Sequence, residues 1–240
     1  MSEITYQTVI INTVAKVGSA NFLACKYSQS TNIHHGHNLL TLQDSLNNKS
    51  NCLIIVGIRN PIDRNLSYLF QTYNSRYRND VRTKKNKYKG EFCYIPEVYD
   101  KTLKCFAKPE VIVDLYFKKK YHNTFNEWFE EFLDITKITN FNKNKGVDFY
   151  KFPNNNTIMI YTVEKLTENI KYIKKKLGIV SDIENINNSD KRDYSEIYKK
   201  VKEKIVYKKE YLDNLLNTHI IRLFYNESDI NFFYSKYKTL

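Results

Sequence analysis

The chain has 240 residues and 42% hydrophobic content, enough for one α/β domain, 1–240, with a real core. Its net charge of +12 favours an anionic partner (nucleotide, nucleic acid, acidic glycan or membrane surface), although Lys accumulates here beside abundant Asn, Ile and Tyr and the charge by itself decides little. No apolar run approaches the ~20 residues that span a bilayer, no signal peptide is visible, and the four Cys form no CxxC pair; the expectation is a cytoplasmic protein with reduced thiols and no structural zinc.

In chain order, "TVIINTV" (8–14) reads as a buried first strand. The loop "AKVGS" follows, and "NFLACKYSQS" (21–30) continues as a helix. "TNIHH" (31–35) is a short second strand, and "NCLIIVGI" (51–58) has the near-continuous apolar character of a central parallel strand. Pro61 opens the next helix, "PIDRNLSYLFQTYN". Strand, loop and helix alternate twice in 74 residues, which predicts a parallel sheet flanked by helices. The basic run 75–90 is either a solvated loop or a rim that attracts an acidic acceptor. In "NTFNEWFEEFLDITKI", Phe125, Trp128, Phe129, Phe132 and Leu133 form one apolar helical stripe, read as core packing. "NTIMIYTV" (156–163) is another strand, "TENIKYIKKKLG" is a helix stopped at Gly178, and the part from about residue 194 is helical, with Ile197, Val201 and Ile205 on one face.

Two stretches carry chemistry. A short loop with Lys16 and Gly18, leaving a buried strand and entering a helix, offers backbone N–H groups and a mobile positive charge to an anion. In "GIRNPIDRNLSYLFQ", Arg59 leaves the end of a buried strand and Ser67 lies eight residues on, within the next helix. A guanidinium fork and a hydroxyl suit a terminal phosphate monoester. On its own, the second stretch reads equally well as an Arg capping the sheet edge beside an incidental helix-surface Ser.

Lys-x-Gly-Ser after the first strand, followed by Arg-Asn-Pro-x-x-Arg-x-x-Ser after a later one, resembles the sulfotransferases that use 3′-phosphoadenosine 5′-phosphosulfate (PAPS). More narrowly, the chain is similar to the capsular polysaccharide synthesis sulfotransferases with an Asn-Lys-Trp-Tyr-Ser-like segment. Here "KRDYS" (191–195) aligns Arg192, Tyr194 and Ser195, with Asp193 where Trp is usual. The resemblance implies a P-loop-kinase-like fold with a helical C-terminal part. It implies that PAPS is bound by Lys16, Val17, Gly18, Ser19, Ala20 and Asn21 on the 5′ side and by Arg59 and Ser67 at the 3′-phosphate, with Arg192 and Tyr194 as further contacts. It also implies a glycan hydroxyl as acceptor and adenosine 3′,5′-bisphosphate as product. Ala20 departs from the Thr or Ser common at that position and removes one donor to the phosphate.

Sulfuryl transfer needs positioning and charge stabilisation, with no metal, and Lys16 would neutralise the bridging oxygen as it breaks from sulfur. An acceptor hydroxyl also needs a base. "NIHHGHNLL" supplies His34, His35 and His37 after the second strand, and glycan 2-O-sulfotransferases carry a similar His-Gly-His segment there; His37 is the first choice and His35 the second. The same cluster could be an ordinary polar turn or a metal site. Two rival functions stand beside this one: a nucleotide kinase-like phosphotransferase, disfavoured by the absence of GxxxxGK[ST], and a basic nucleic-acid-binding protein, for which no recognition signature appears.

Overall fold

The computed structural model describes residues 6–14, 17–27, 32–70, 99–100, 105–106, 109–118, 123–183, 195–237 and 239. Lys16, the basic run 75–90, Arg192 and Tyr194 therefore lie outside the described residues.

Five strands form the main sheet in the order β2-β1-β3-β7-β6. They are β1 (Thr8–Asn12), β2 (Asn32–Gly36), β3 (Cys52–Ile58), β6 (Val147–Lys151) and β7 (Thr157–Thr162). Strands β2, β1, β3 and β7 run parallel, and β6 pairs antiparallel with β7. The expected parallel sheet thus holds for four strands, with an antiparallel edge added. A two-stranded ribbon, β4 (Tyr99–Asp100) with β5 (Cys105–Phe106), stands apart. The helices are α1 (Ser19–Leu23), α2 (Leu39–Asn48), α3 (61–70), α4 (Pro109–Lys118), α5 (Asn123–Thr136), α6 (Leu166–Leu177), α7 (Ser195–Lys204), α8 (Lys209–Leu216), α9 (His219–Phe224) and α10 (Glu227–Lys236).

Every residue of β3 and β7 is buried, as their unbroken apolar character requires when both sheet faces are covered. Alternation divides them. Leu53, Ile55, Met159 and Tyr161 pack with Phe22 of α1 and Ile173 of α6. Ile54, Val56, Ile58, Ile158 and Ile160 join Ile62, Phe129, Phe132, Val201, Leu212 and Phe224 from the larger helical layer. The Phe129–Phe132 stripe of α5 is core, as its spacing predicts. Gly178 ends α6 at φ 62°, the left-handed stop its sequence announces. Helix α1 is shorter than expected: it ends at Leu23 and the chain turns so that Tyr27 forms a bridge with Ile179. Cys25 and Cys52 are free and buried, and no described helix is long and apolar enough to cross a membrane.

At the N-terminal edge of the parallel strands, the fully buried Asn156 closes the structure. Its Oδ1 accepts the Cys52 N–H at 2.9 Å, and its Nδ2 donates to the carbonyls of Lys49 at 2.9 Å and Ser45 at 3.3 Å.

Candidate functional site

The opposite, C-terminal edge is built differently. Registers that align Asn12 with Gly36 and Ile58 with Thr162 bring the exits of β1, β2, β3 and β7 to one side. Buried polar atoms without a hydrogen-bond partner among the described residues gather here: Asn12 Oδ1, Thr13 Oγ1 and Asn21 Oδ1 around the β1–α1 turn, and Asn60 Nδ2, Asp63 Oδ1 and Asn65 Nδ2 around the start of α3. Such atoms are costly in a finished interior and mark places where something other than folding set the sequence.

The β1–α1 turn rests on a pillar. Fully buried Tyr161 stands opposite Gly57 in the register and donates its hydroxyl to the Val17 carbonyl at 2.7 Å. A Cβ on Gly57 would lie 2.7 Å from both that carbonyl and the Tyr161 hydroxyl, so only glycine lets the turn close onto β3. Gly18 has φ 77° and forms the N-cap of α1, a left-handed conformation that glycine adopts without strain. The expected contacts divide accordingly: Val17 and Asn21 are buried, whereas Gly18, Ser19 and Ala20 are partly exposed along the turn. Tyr161 and Gly57 were not assigned from sequence, although a lone Gly inside an apolar strand signals a close backbone approach.

Arg59 leaves β3 half-buried. Asn60 caps α3, its Oδ1 accepting the Ile62 N–H at 2.9 Å, with Pro61 at the first helical position as expected. Helical periodicity sets Ser67, half-buried, on one face with Asn60, Asp63 and Arg64. Six residues of helix separate Ser67 from Pro61, about 9 Å along the axis. Arg64 is 2% exposed; its guanidinium donates to Asn65 Oδ1 at 2.9 Å and lies over the Tyr68 ring, and burial pushes its pKa down to about 10.

Two carboxylates flank this corner. Glu164, just past β7, accepts the Asn60 backbone N–H at 2.8 Å and the Tyr225 hydroxyl at 2.7 Å. Burial raises its pKa against the pull of those hydrogen bonds and of the Arg59 charge. Asp63 pairs with Lys236 of α10 and, at 3.8 Å, with Lys202 of α7. Burial alone would raise its pKa, but Lys236, Lys202 and Arg59 together hold it below the usual carboxylate range. Neither acid was assigned from sequence, where each reads as an ordinary charge near an element end.

On the other flank, His37 directs Nδ1 at the Thr13 carbonyl, 2.5 Å away. His35 and His37, two residues apart, meet edge to face with ring centres 4.7 Å apart. Burial, and then the neighbouring His37, lower the pKa of His35. Thus His35 and His37, the β1–α1 turn and Arg59 share one sheet edge. Among the described residues no cluster of three or more His, Cys, Asp or Glu suits a metal ion. Searches against family models, curated proteins and solved structures return no match to this chain.

Proposed function

We propose that the chain is a PAPS-dependent sulfotransferase that acts on a hydroxyl group, with a glycan as the acceptor class. The observation that carries this reading is the convergence on one sheet edge of a left-handed glycine turn after β1, an Arg at the end of β3 on one side of it, and an imidazole pair at the end of β2 on the other. Buried Asn12, Thr13, Asn21 and Asn60 side-chain atoms at the same edge, without a hydrogen-bond partner among the described residues, suit a polar, multiply bonded guest.

In this reading the bound donor supplies the sulfuryl group. The Gly18–Ala20 backbone and the Ser19 hydroxyl hold the 5′-phosphosulfate, and Lys16 meets the negative charge that grows on the bridging oxygen. Arg59 and Ser67 hold the 3′-phosphate. The Asn60 N–H and Tyr225 hydroxyl bonds to Glu164 keep the β3–α3 corner fixed, so Arg59 is presented without reorganisation. His37 takes the proton from the acceptor hydroxyl as its oxygen bonds to sulfur; the sulfur–phosphate oxygen bond breaks, and adenosine 3′,5′-bisphosphate leaves.

A thermal-shift screen tests the reading against its rivals. Adenosine 3′,5′-bisphosphate should raise the melting temperature, by about 2.7 kcal/mol of added stability at a hundredfold excess over Kd. Stabilisation by magnesium-ATP alone would favour a kinase, and by an oligonucleotide alone a nucleic-acid binder.

A further inference from the structure

Three successive backbone carbonyls at the β2–α2 junction are each held by a different donor. The Gly36 oxygen accepts the Thr13 N–H at 3.3 Å, the His37 oxygen accepts Trp128 Nε1–H at 3.0 Å, and the Asn38 oxygen accepts Asn12 Nδ2–H at 2.8 Å. Asn38 itself caps α2, its side chain accepting the Leu40 N–H at 2.8 Å. Two of the three donors come from the end of β1, and the third reaches over from α5.

The α5 donor has a rigid base. Trp128 is stacked on Phe132, with the planes 9° apart, and meets Phe129 edge to face; both of those rings are completely buried. An indole has one polar hydrogen, and here it is spent on the backbone of a single residue. The imidazole of that residue then reaches Thr13. A carbonyl oxygen can only accept, so the contact at His37 Nδ1 requires the proton on Nδ1. Neutral His37 is then the tautomer whose Nε2 carries the basic lone pair, and no described residue bonds that nitrogen. We infer that Trp128 is a positioning residue, seating His37 so that Nδ1–H is committed to the Thr13 carbonyl and Nε2 is the proton-accepting atom of the site. The role of Nε2 in transfer rests on the sulfotransferase reading; the seating does not.

The arrangement accounts for a side chain that the apolar stripe alone leaves unexplained. Packing would be served by Phe at 128, whereas the Nε1–H bond to His37 requires Trp. It also links the base to the nucleotide side of the site, because the Thr13 that receives Nδ1–H is the first residue of the β1–α1 loop.

The test is a pair of measurements on the full-length protein. Long-range ¹H–¹⁵N NMR of wild type should show His37 as the Nδ1–H tautomer. Trp128→Phe keeps the ring stack and removes the donor. It should shift His37 toward a mixture of tautomers and lower kcat for sulfuryl transfer about tenfold, while the Kd for adenosine 3′,5′-bisphosphate stays within twofold. A wild-type His37 protonated on Nε2 overturns the inference without any variant being made. So does a folded Trp128→Phe protein with unchanged tautomer and unchanged kcat. If the tautomer behaves as stated but the wild type moves no sulfuryl group, the seating by Trp128 stands and the reaction assigned to the site is wrong.

Discussion

The two ends of the sheet solve the same problem in opposite ways. At the N-terminal edge, Asn156 is fully buried and each polar atom of its side chain is bonded, so three segments (the end of α2, the start of β3 and the start of β7) are tied by one residue. At the C-terminal edge, residues equally deep (Asn12, Thr13 and Asn60, each 0% exposed) keep an oxygen or nitrogen without a hydrogen-bond partner among the described residues. A chain selected for stability alone would satisfy both ends or make both apolar. The difference singles out one end of the sheet as the candidate site without reference to any motif. The edge it selects is the one that carries Gly18, Arg59 and the His35–His37 pair.

If the comparison is right, variants at the two ends should fail differently. The largest effect is expected at the working end, in rate. His37→Ala should slow sulfuryl transfer about 100- to 10,000-fold, as removal of a general base does. Its melting temperature and its affinity for adenosine 3′,5′-bisphosphate should stay near wild type, because the imidazole is exposed and its contacts among the described residues are the Thr13 carbonyl and the His35 ring. Single-turnover kinetics with saturating nucleotide read this directly; a full-speed variant would move the base elsewhere.

The next effect belongs to the closed end, in stability. Asn156→Ala strips partners from the Cys52 N–H and from the Lys49 and Ser45 carbonyls, and should cost about 2 to 4 kcal/mol in urea unfolding. Nucleotide affinity in the folded fraction should not change. A loss below about 0.5 kcal/mol would show that water replaces Asn156 without penalty, and the contrast between the ends would collapse.

How much of this was legible in the sequence follows from the range of the interactions. Strands β1, β3 and β7 are unbroken apolar runs, Pro61 and Gly178 punctuate helices by their own φ preferences, and the α5 stripe repeats at helical spacing; each is a local signal, and each holds. Strand β6 was missed because its middle residues are half-buried and mixed in character, as an edge strand's are, so no run or clean alternation announces it. Arg59, Gly18 and the His pair are candidates in the sequence because motif spacing singles them out. Glu164 is not, because the hydroxyl it binds belongs to Tyr225, 61 residues downstream. Trp128 was read for its ring, which does pack in the core; the partner of its N–H lies 91 residues away, and no periodicity encodes that contact.

Asp63 tests the buried corner at intermediate size. Its pairing with Lys236 and Lys202, whose side chains are about a third exposed, is partly screened, so Asp63→Asn should cost about 1 to 2 kcal/mol at neutral pH. The sign with pH is fixed by the lowered pKa of Asp63. Stability from the ionised carboxylate is fully present above the ordinary Asp value near ~4 and is lost as pH falls through the lower folded value. The gap between wild type and variant should therefore begin to close below about pH 4 and vanish once the pH is below the lowered folded value. A gap that does not shrink with falling pH would mean that Asp63 acts through packing and not through charge.

The smallest effect carries the opposite sign. Thr13→Val replaces a buried hydroxyl that has no partner among the described residues by a methyl of nearly the same size. It should leave stability unchanged or raise it by up to about 1 kcal/mol, with nucleotide binding or turnover weakened. Destabilisation beyond about 1 kcal/mol would mean that the Thr13 hydroxyl is satisfied in solution and does not belong with the unpaired atoms of this edge.

The central claim, that this edge binds a 3′-phosphorylated nucleotide through Arg59, is tested most directly by isothermal titration calorimetry. The design crosses wild type and Arg59→Ala with adenosine 3′,5′-bisphosphate and adenosine 5′-phosphate. The account predicts one-to-one binding of the bisphosphate to wild type, and a loss of about 2 to 4 kcal/mol when either Arg59 or the 3′-phosphate is removed. Removing both should cost little more than removing one, because the two partners share a single interaction. Equal affinity of wild type and Arg59→Ala for the bisphosphate, or no binding at all, would contradict it.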